Sequence, residues 1–286
     1  MLLHFDQVRT SDSPFIERVW TSHSLRAGKF LSVAACNLEI VVSRVQGHAL
    51  LTIRGPETRP SEIPCPADGE WIAIRLRAGT VLPQFPVRRL LDNLGVTLPQ
   101  PSKRTFLLDG RKWELPTFDN AETFVQRLAS KGLLQRDAEV AAALNDGPAA
   151  FSTRTRQRRF LSVVGMPFNV MRQIERARFA VTLLRERVPI ADVVWQCGYY
   201  DHAHLTRSLR RWIGVPPSAV TDANLQLSFL YKTERFTPPR VSAHARTTGE
   251  GGELSNRLGA VGIGDPVSRH GRGDEAAGAA GGAPQQ

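Results

Sequence analysis

The sequence predicts a multidomain α+β chain, with a mostly-β N-terminal half, an all-α C-terminal half built on a helix-turn-helix unit used twice, and a disordered C-terminal tail. Three observations predict it. Apolar residues alternate with period two in short runs before residue 80 and change to helical spacing after Asp119. One pattern then occurs twice, 49 positions apart, as Ser152–Pro167 (STRTRQRRFLSVVGMP) and Asp201–Pro216 (DHAHLTRSLRRWIGVP). Finally, Val241–Gln286 holds 11 of the 23 glycines and almost no large apolar side chains, so it cannot bury enough surface to offset its ordering entropy. The boundaries that follow are 1–118 for the β-rich domain, 119–232 for the helical domain and 233–286 for the tail.

In the β-rich part, strands are expected at Leu38–Ser43, Ala49–Arg54 and Trp71–Arg77; in the last, Ile72, Ile74 and Leu76 alternate with Ala73, Arg75 and Arg77. Val87–Leu94 reads as a short helix stopped by Gly95. Phe106–Leu115 carries Asp109-Gly110 between apolar runs, a hairpin signal. Asp119 with Glu122 is suited to a capping box that opens a helix with Phe124, Leu128 and Ala129 on one face.

The helical part divides into two units, at about 137–165 and 190–214. Each begins with a short helix, Asp137–Asn145 or Ile190–Gln196, and continues through a turn into one copy of the repeated pattern. Ser152 and Asp201 are expected caps, and Gly165-x-Pro167 and Gly214-x-Pro216 are expected stops. In the second copy Leu205, Leu209 and Trp212 share a face, which turns His202, Ala203, Thr206, Arg207 and Arg210 outward. The spacer 168–187 has Ile174, Ala177, Val181 and Leu184 on one stripe and no internal Pro or Gly. Its roughly 30 Å length compares with the 34 Å or so between successive major-groove faces.

Charge sharpens this reading. Of the formal +10, residues 150–217 carry +8, against +2 for 1–149 and 0 for 218–286, and every cation in 150–217 is Arg. Arg suits forked contacts to phosphates and guanine edges, although a basic run alone is equally consistent with a solvated surface. Two such units in tandem, with Arg158 and Arg207 at the same outward position, point to duplex DNA.

Other chemistry finds little support. Cys36, Cys65 and Cys197 have no metal-ligand spacing and read as reduced, mostly buried thiols. His202 and His204 lie about 200° apart on a helix and so cannot share an ion. His4, His23 and His48 lack the pattern of a metal-dependent β-barrel enzyme, and no convergent acid, base and nucleophile set suggests catalysis. The expectation is therefore a non-enzyme with no metal or cofactor. No apolar stretch reaches 18 residues and the N-terminus lacks a basic region followed by a long apolar one, which makes a cytoplasmic, membrane-free location the expectation.

From about Ala121 to Val220 the chain closely resembles the two-headed DNA-binding domain of AraC/XylS-type transcription regulators, most specifically through Gly198–Val220 (GYYDHAHLTRSLRRWIGVPPSAV) and Ser152–Phe160 (STRTRQRRF). The resemblance implies a bacterial regulator whose helices at about 152–164 and 201–212 read adjacent major-groove segments of an operator. It carries base contacts onto Arg154, Thr155, Gln157 and Arg158 in the first helix and His202, Ala203, His204, Thr206 and Arg207 in the second; Arg210 joins them on the outward face. One departure is Arg156, where the family has an apolar residue; four positions before Phe160, it is expected on the core-facing side. The β-rich half resembles, more weakly, cupin-like sensor domains, through Arg54–Thr58 (RGPET) and Phe106–Leu115. The expected partners besides DNA are a small-molecule effector, RNA polymerase and a second copy of the chain; the alternative is an N-terminal domain that only dimerises and senses nothing.

Overall fold

A computed structural model describes residues 2–146, 153–222 and 225–228. The expected tail, the first turn (146–151) apart from the backbone of Asp146, and the expected cap Ser152 lie outside the described residues. The N-terminal half is mostly sheet and the C-terminal half is helical, as the change of period requires.

The strands run β1 (Leu3–Thr10), β2 (Ile16–Ser24), β3 (Gly28–Ser32), β4 (Glu39–Val45), β5 (His48–Arg54), β6 (Ser61–Cys65), β7 (Glu70–Leu76) and β8 (Thr80–Val81). After α1 (Val87–Leu90) come β9 (Val96–Thr97), β10 (Thr105–Leu108) and β11 (Arg111–Glu114). Six of them form an antiparallel sheet in the order β1-β2-β7-β4-β5-β9, and β3 pairs with β6, β10 with β11. The expected strands appear within two residues of their places, and the hairpin turns on Asp109 and Gly110, both at positive φ (54° and 68°). The expected helix at Val87–Leu94 is a single turn, ending in extended backbone at Leu91.

Central strand β7 departs from simple alternation: Ile72, Ala73, Ile74, Arg75 and Leu76 are all buried. One face carries Ile74 and Leu76 into a core with Ile16, Ile40, Leu51, Ile53, Phe106 and Leu128. Arg75, on the other face, is buried because it is paired: its Nε and Nη2 donate to Glu39 Oε1 at 3.0 and 2.8 Å. Burial disfavours the Glu39 anion, but Arg75 and Arg54 outweigh it and hold its pKa below the ordinary carboxylate value.

Next come α2 (Ala121–Ser130), β12 (Gln135–Arg136, paired with β8) and α3 (Ala138–Asp146). Helix α2 buries Ala121, Phe124, Val125 and Leu128 in the same core as the sheet. The expected capping box at its start does not form. Asn120 is the cap and exchanges hydrogen bonds with Thr117, while Glu122 binds Arg9 of β1 through both carboxylate oxygens. A bidentate guanidinium partner offers Glu122 more than one amide would.

The remaining helices are α4 (Arg154–Val164), α5 (Phe168–Arg185), α6 (Ile190–Gln196), α7 (His202–Trp212) and α8 (Pro217–Val220). The expected spacer stripe is buried, with Ile174, Ala177, Val181 and Leu184 sharing a core with Phe160, Leu205, Leu209 and Trp212. That core also includes Trp20, Val33, Ala34, Cys36 and Ala73, so the helices pack directly on the N-terminal half. Backbone bonds reinforce the contact: Ala34 N–H donates to Trp212 O at 2.9 Å, and the buried Arg178 of α5 donates to Ala34 O at 3.2 Å. All three cysteines are free and buried.

Candidate nucleic-acid interface

Helix α7 is positioned by its cap and by three apolar side chains. Asp201 Oδ1 accepts from His204 N–H at 2.6 Å, and Gly214, at φ 96°, donates to Leu209 O at 3.0 Å to close the other end. Leu205, Leu209 and Trp212 are buried, which turns His202, Ala203, Arg207 and Arg210 out to solvent, as expected. Thr206 and His204 are half-buried. His204 is held in place: its Nδ1 accepts from Tyr200 N–H at 3.4 Å and its ring meets Tyr199 edge-on at 5.2 Å. Tyr199 is itself fixed by its hydroxyl bond to Ser208 at 3.0 Å and by the Arg176 guanidinium 4.5 Å from its ring centre.

Helix α4 follows the same plan with two corrections. Its cap is Thr153, whose hydroxyl accepts from Arg156 N–H at 3.4 Å, one position after the expected Ser152. Arg156 is exposed, not core-facing: the first turn of α4 extends beyond the contacts of Phe160 and Val164, which are the buried residues of this helix. Arg154, Thr155, Gln157 and Arg158 are all exposed. Arg159 is otherwise engaged, its Nε lying 3.0 Å from Asp137 and 3.1 Å from Glu139, which ties α4 to the start of α3.

The candidates therefore fall on two capped helices of 11 residues each, all of them exposed except the half-buried His204 and Thr206, with the 18-residue α5 and the short α6 between the two helices in the chain. A helix of 18 residues rises about 27 Å, close to the length read from the sequence. The first turn of each helix leaves backbone N–H groups and the positive end of its dipole beside exposed Arg or His side chains, an arrangement suited to anions. Two large aromatics just before α7 in the chain are exposed, Trp195 on α6 (82%) and Tyr200 (89%). Sequence reasoning assigned them nothing, although the two residues before Trp195, Val193 and Val194, turn inward and so imply that it faces out.

Residues 148–223 match the model of a helix-turn-helix domain family. This segment is an AraC-type helix-turn-helix domain. The AraC-type domain contains α4 through α8 and every candidate contact residue, and it supports duplex DNA as a partner. No characterised protein and no solved structure matches the chain. Among the described residues, no helix is long and apolar enough to cross a membrane.

Proposed function

We propose that the protein is a sequence-specific transcriptional regulator that places α4 and α7 in adjacent major-groove segments of an operator. The observation that carries this reading is the pair of capped helices with unburied Arg faces, Arg154 and Arg158 on one and Arg207 and Arg210 on the other, with the half-buried spacer α5 between them in the chain, about 27 Å long against the roughly 34 Å of one turn of DNA. Base edges fall to Arg154, Thr155, Gln157, Arg158, His202, Ala203, His204, Thr206 and Arg207, and Arg210 fits a phosphate. RNA polymerase is the further partner such a regulator acts on, its site of action is the cytoplasm, and the reading assigns it no catalysis.

For the N-terminal half we favour a cupin-like sensor over a domain that only dimerises, because the sheet and the β3–β6 pair line a half-open cavity of about 270 Å³ with both aromatic and polar side chains. A second copy of the chain fits either reading.

The test is recovery of genomic fragments by the purified full chain, followed by titration of the enriched duplex at several salt concentrations. Phosphate neutralisation requires log affinity to fall linearly with log salt, by about 0.9 per contact. Equal affinity for enriched and scrambled duplexes would defeat sequence specificity, and binding indifferent to salt would defeat the DNA reading altogether.

A further inference from the structure

The cavity is chemically specific. Phe5, Trp20, Phe30 and Trp71 supply flat apolar wall. Its four charged groups are already closed into two pairs: Arg54 with Glu57 at 2.5 Å, and Arg75 with Glu39 at 2.8 Å. Ser32 Oγ completes the first pair by donating to Glu57 at 2.6 Å. A ligand bearing a net charge would enter among groups that already hold partners, and would pay its desolvation without a free one, while burial, which raises the Glu57 pKa despite Arg54, marks how costly charge is in this wall. A neutral ligand meets no such cost, and the hydroxyls of Ser22 and Ser43 on the same wall can bond a neutral polar group. Leu94 lines the cavity yet is 72% exposed, which places the mouth beside it.

The far wall is shared with the DNA-binding half. Ser32, Val33 and Ala35 line the cavity, and the same strip bonds outward to the helices through Ala34, whose N–H and C=O engage Trp212 of α7 and Arg178 of α5. The chain that follows α8 then returns to this strip. Leu31 N–H donates to Gln226 O and Ser228 N–H to Leu31 O, both at 3.0 Å, while Val33 N–H donates to Ser228 Oγ at 3.2 Å. Gln226 adds a reciprocal side-chain pair with the backbone of Leu3. Ser228, which follows α8 in the chain, thereby becomes part of the cavity wall.

We propose that the cavity binds a small uncharged molecule with a flat apolar body and one or two hydroxyl or amide groups, and that occupancy tightens the strip Leu31–Cys36 against α7 and the returning segment 225–228. This rests on the sensor reading and names its ligand class and its route to the helices.

The experiment uses the full chain without DNA and four probes, the neutral indole and benzyl alcohol and the charged benzoate and benzylammonium. Binding is followed by ligand-observed NMR and the response of the protein by amide hydrogen exchange. A neutral probe is expected to bind saturably; at ten times its Kd, exchange at Ala34, Leu31 and Ser228 slows about tenfold if opening of this wall releases it. Ala73→Trp, which fills the cavity from β7, abolishes both effects, and Ser43→Phe does the same should the first variant fail to fold. Slow exchange at Leu51 and Ile53 reports an intact fold in either variant. Absence of saturable binding by both neutral probes, equal binding by the charged ones, or an undiminished response in a folded blocked variant would overturn the site and its ligand class. Binding without slowed exchange at Ser228 and Ala34 would overturn the route to the helices. Failure of the DNA reading shows separately, in the duplex titration.

Discussion

Replacing Arg207 by alanine tests the reading function proposed for α7 separately from its folding. Arg207 is exposed on a helix whose buried neighbours Leu205 and Leu209 are fully covered, so truncation opens no cavity. Alanine is also the better helix former by a few tenths of a kcal/mol, and the unfolding temperature should stay put. If the guanidinium pairs with a base edge, its loss costs about 1 to 3 kcal/mol, or roughly five- to 150-fold in operator affinity. Arg158→Ala, at the same position of the other copy, should cost a similar amount, and the double variant should lose the sum if, as proposed, the two side chains serve separate groove segments. Arg159→Ala is the control: its guanidinium is held by Asp137 and Glu139, so it should affect stability more than affinity. The assay is titration of each full-length variant against operator and scrambled duplexes at three salt concentrations, beside a thermal melt. Unchanged operator affinity in Arg207→Ala, or a fall in unfolding temperature that accounts for the loss, would show that Arg207 makes no operator contact; equal loss on scrambled duplexes would move Arg207 from base to phosphate.

Three further outcomes follow from the packing. Gly55→Ala should destabilise the protein by about 1 to 3 kcal/mol, since a Cβ there would lie 2.3 Å from the Leu90 carbonyl oxygen, and an unchanged thermal melt would contradict that close approach. The hydrogen bond from Arg9 lowers the Glu122 pKa to about 2, so this pair stabilises the fold fully above the ordinary value of 4.5 and loses its effect as pH falls towards 2. Because both partners are about a third exposed, Glu122→Gln should cost less than about 1 kcal/mol at pH 7, a difference that disappears near pH 2 in denaturant titrations. Arg156→Leu should alter stability by less than about 1 kcal/mol because the residue is exposed; a clear gain would restore the core-facing register.

Features that neighbouring residues decide were legible. Helix α6 has the bounds its apolar spacing indicates, α7 begins on Asp201, and the Asp109-Gly110 turn forms because its residues accept left-handed backbone. The hairpin joining β4 to β5 carried no such signal: it turns on Gln46 and Gly47, and Gln at φ 50° is not a residue chosen for that conformation. At the start of α4, Ser152 and Thr153 offer the same hydroxyl chemistry, and local sequence cannot choose between them. Arg156 was placed by a four-residue spacing that holds only while a helix lies against its core, and the first turn of α4 does not.

Where the deciding partner is distant in the chain, spacing carries no information. Arg9, 113 positions away, takes Glu122 from the helix start, and Glu39 turns Arg75 from a surface residue into a buried one. The cavity is the extreme case, since its walls come from β1 through β7, the loop after α1 and Ser228, with no local motif among them. Function divides along the same line. A reading helix needs only a cap, an apolar stripe and an outward face, all set within 16 residues, and so the DNA-binding half declares itself. A binding cavity needs convergence across the whole chain, and the chemistry of this one, two closed ion pairs in an aromatic shell, emerges only once the sheet has brought them together.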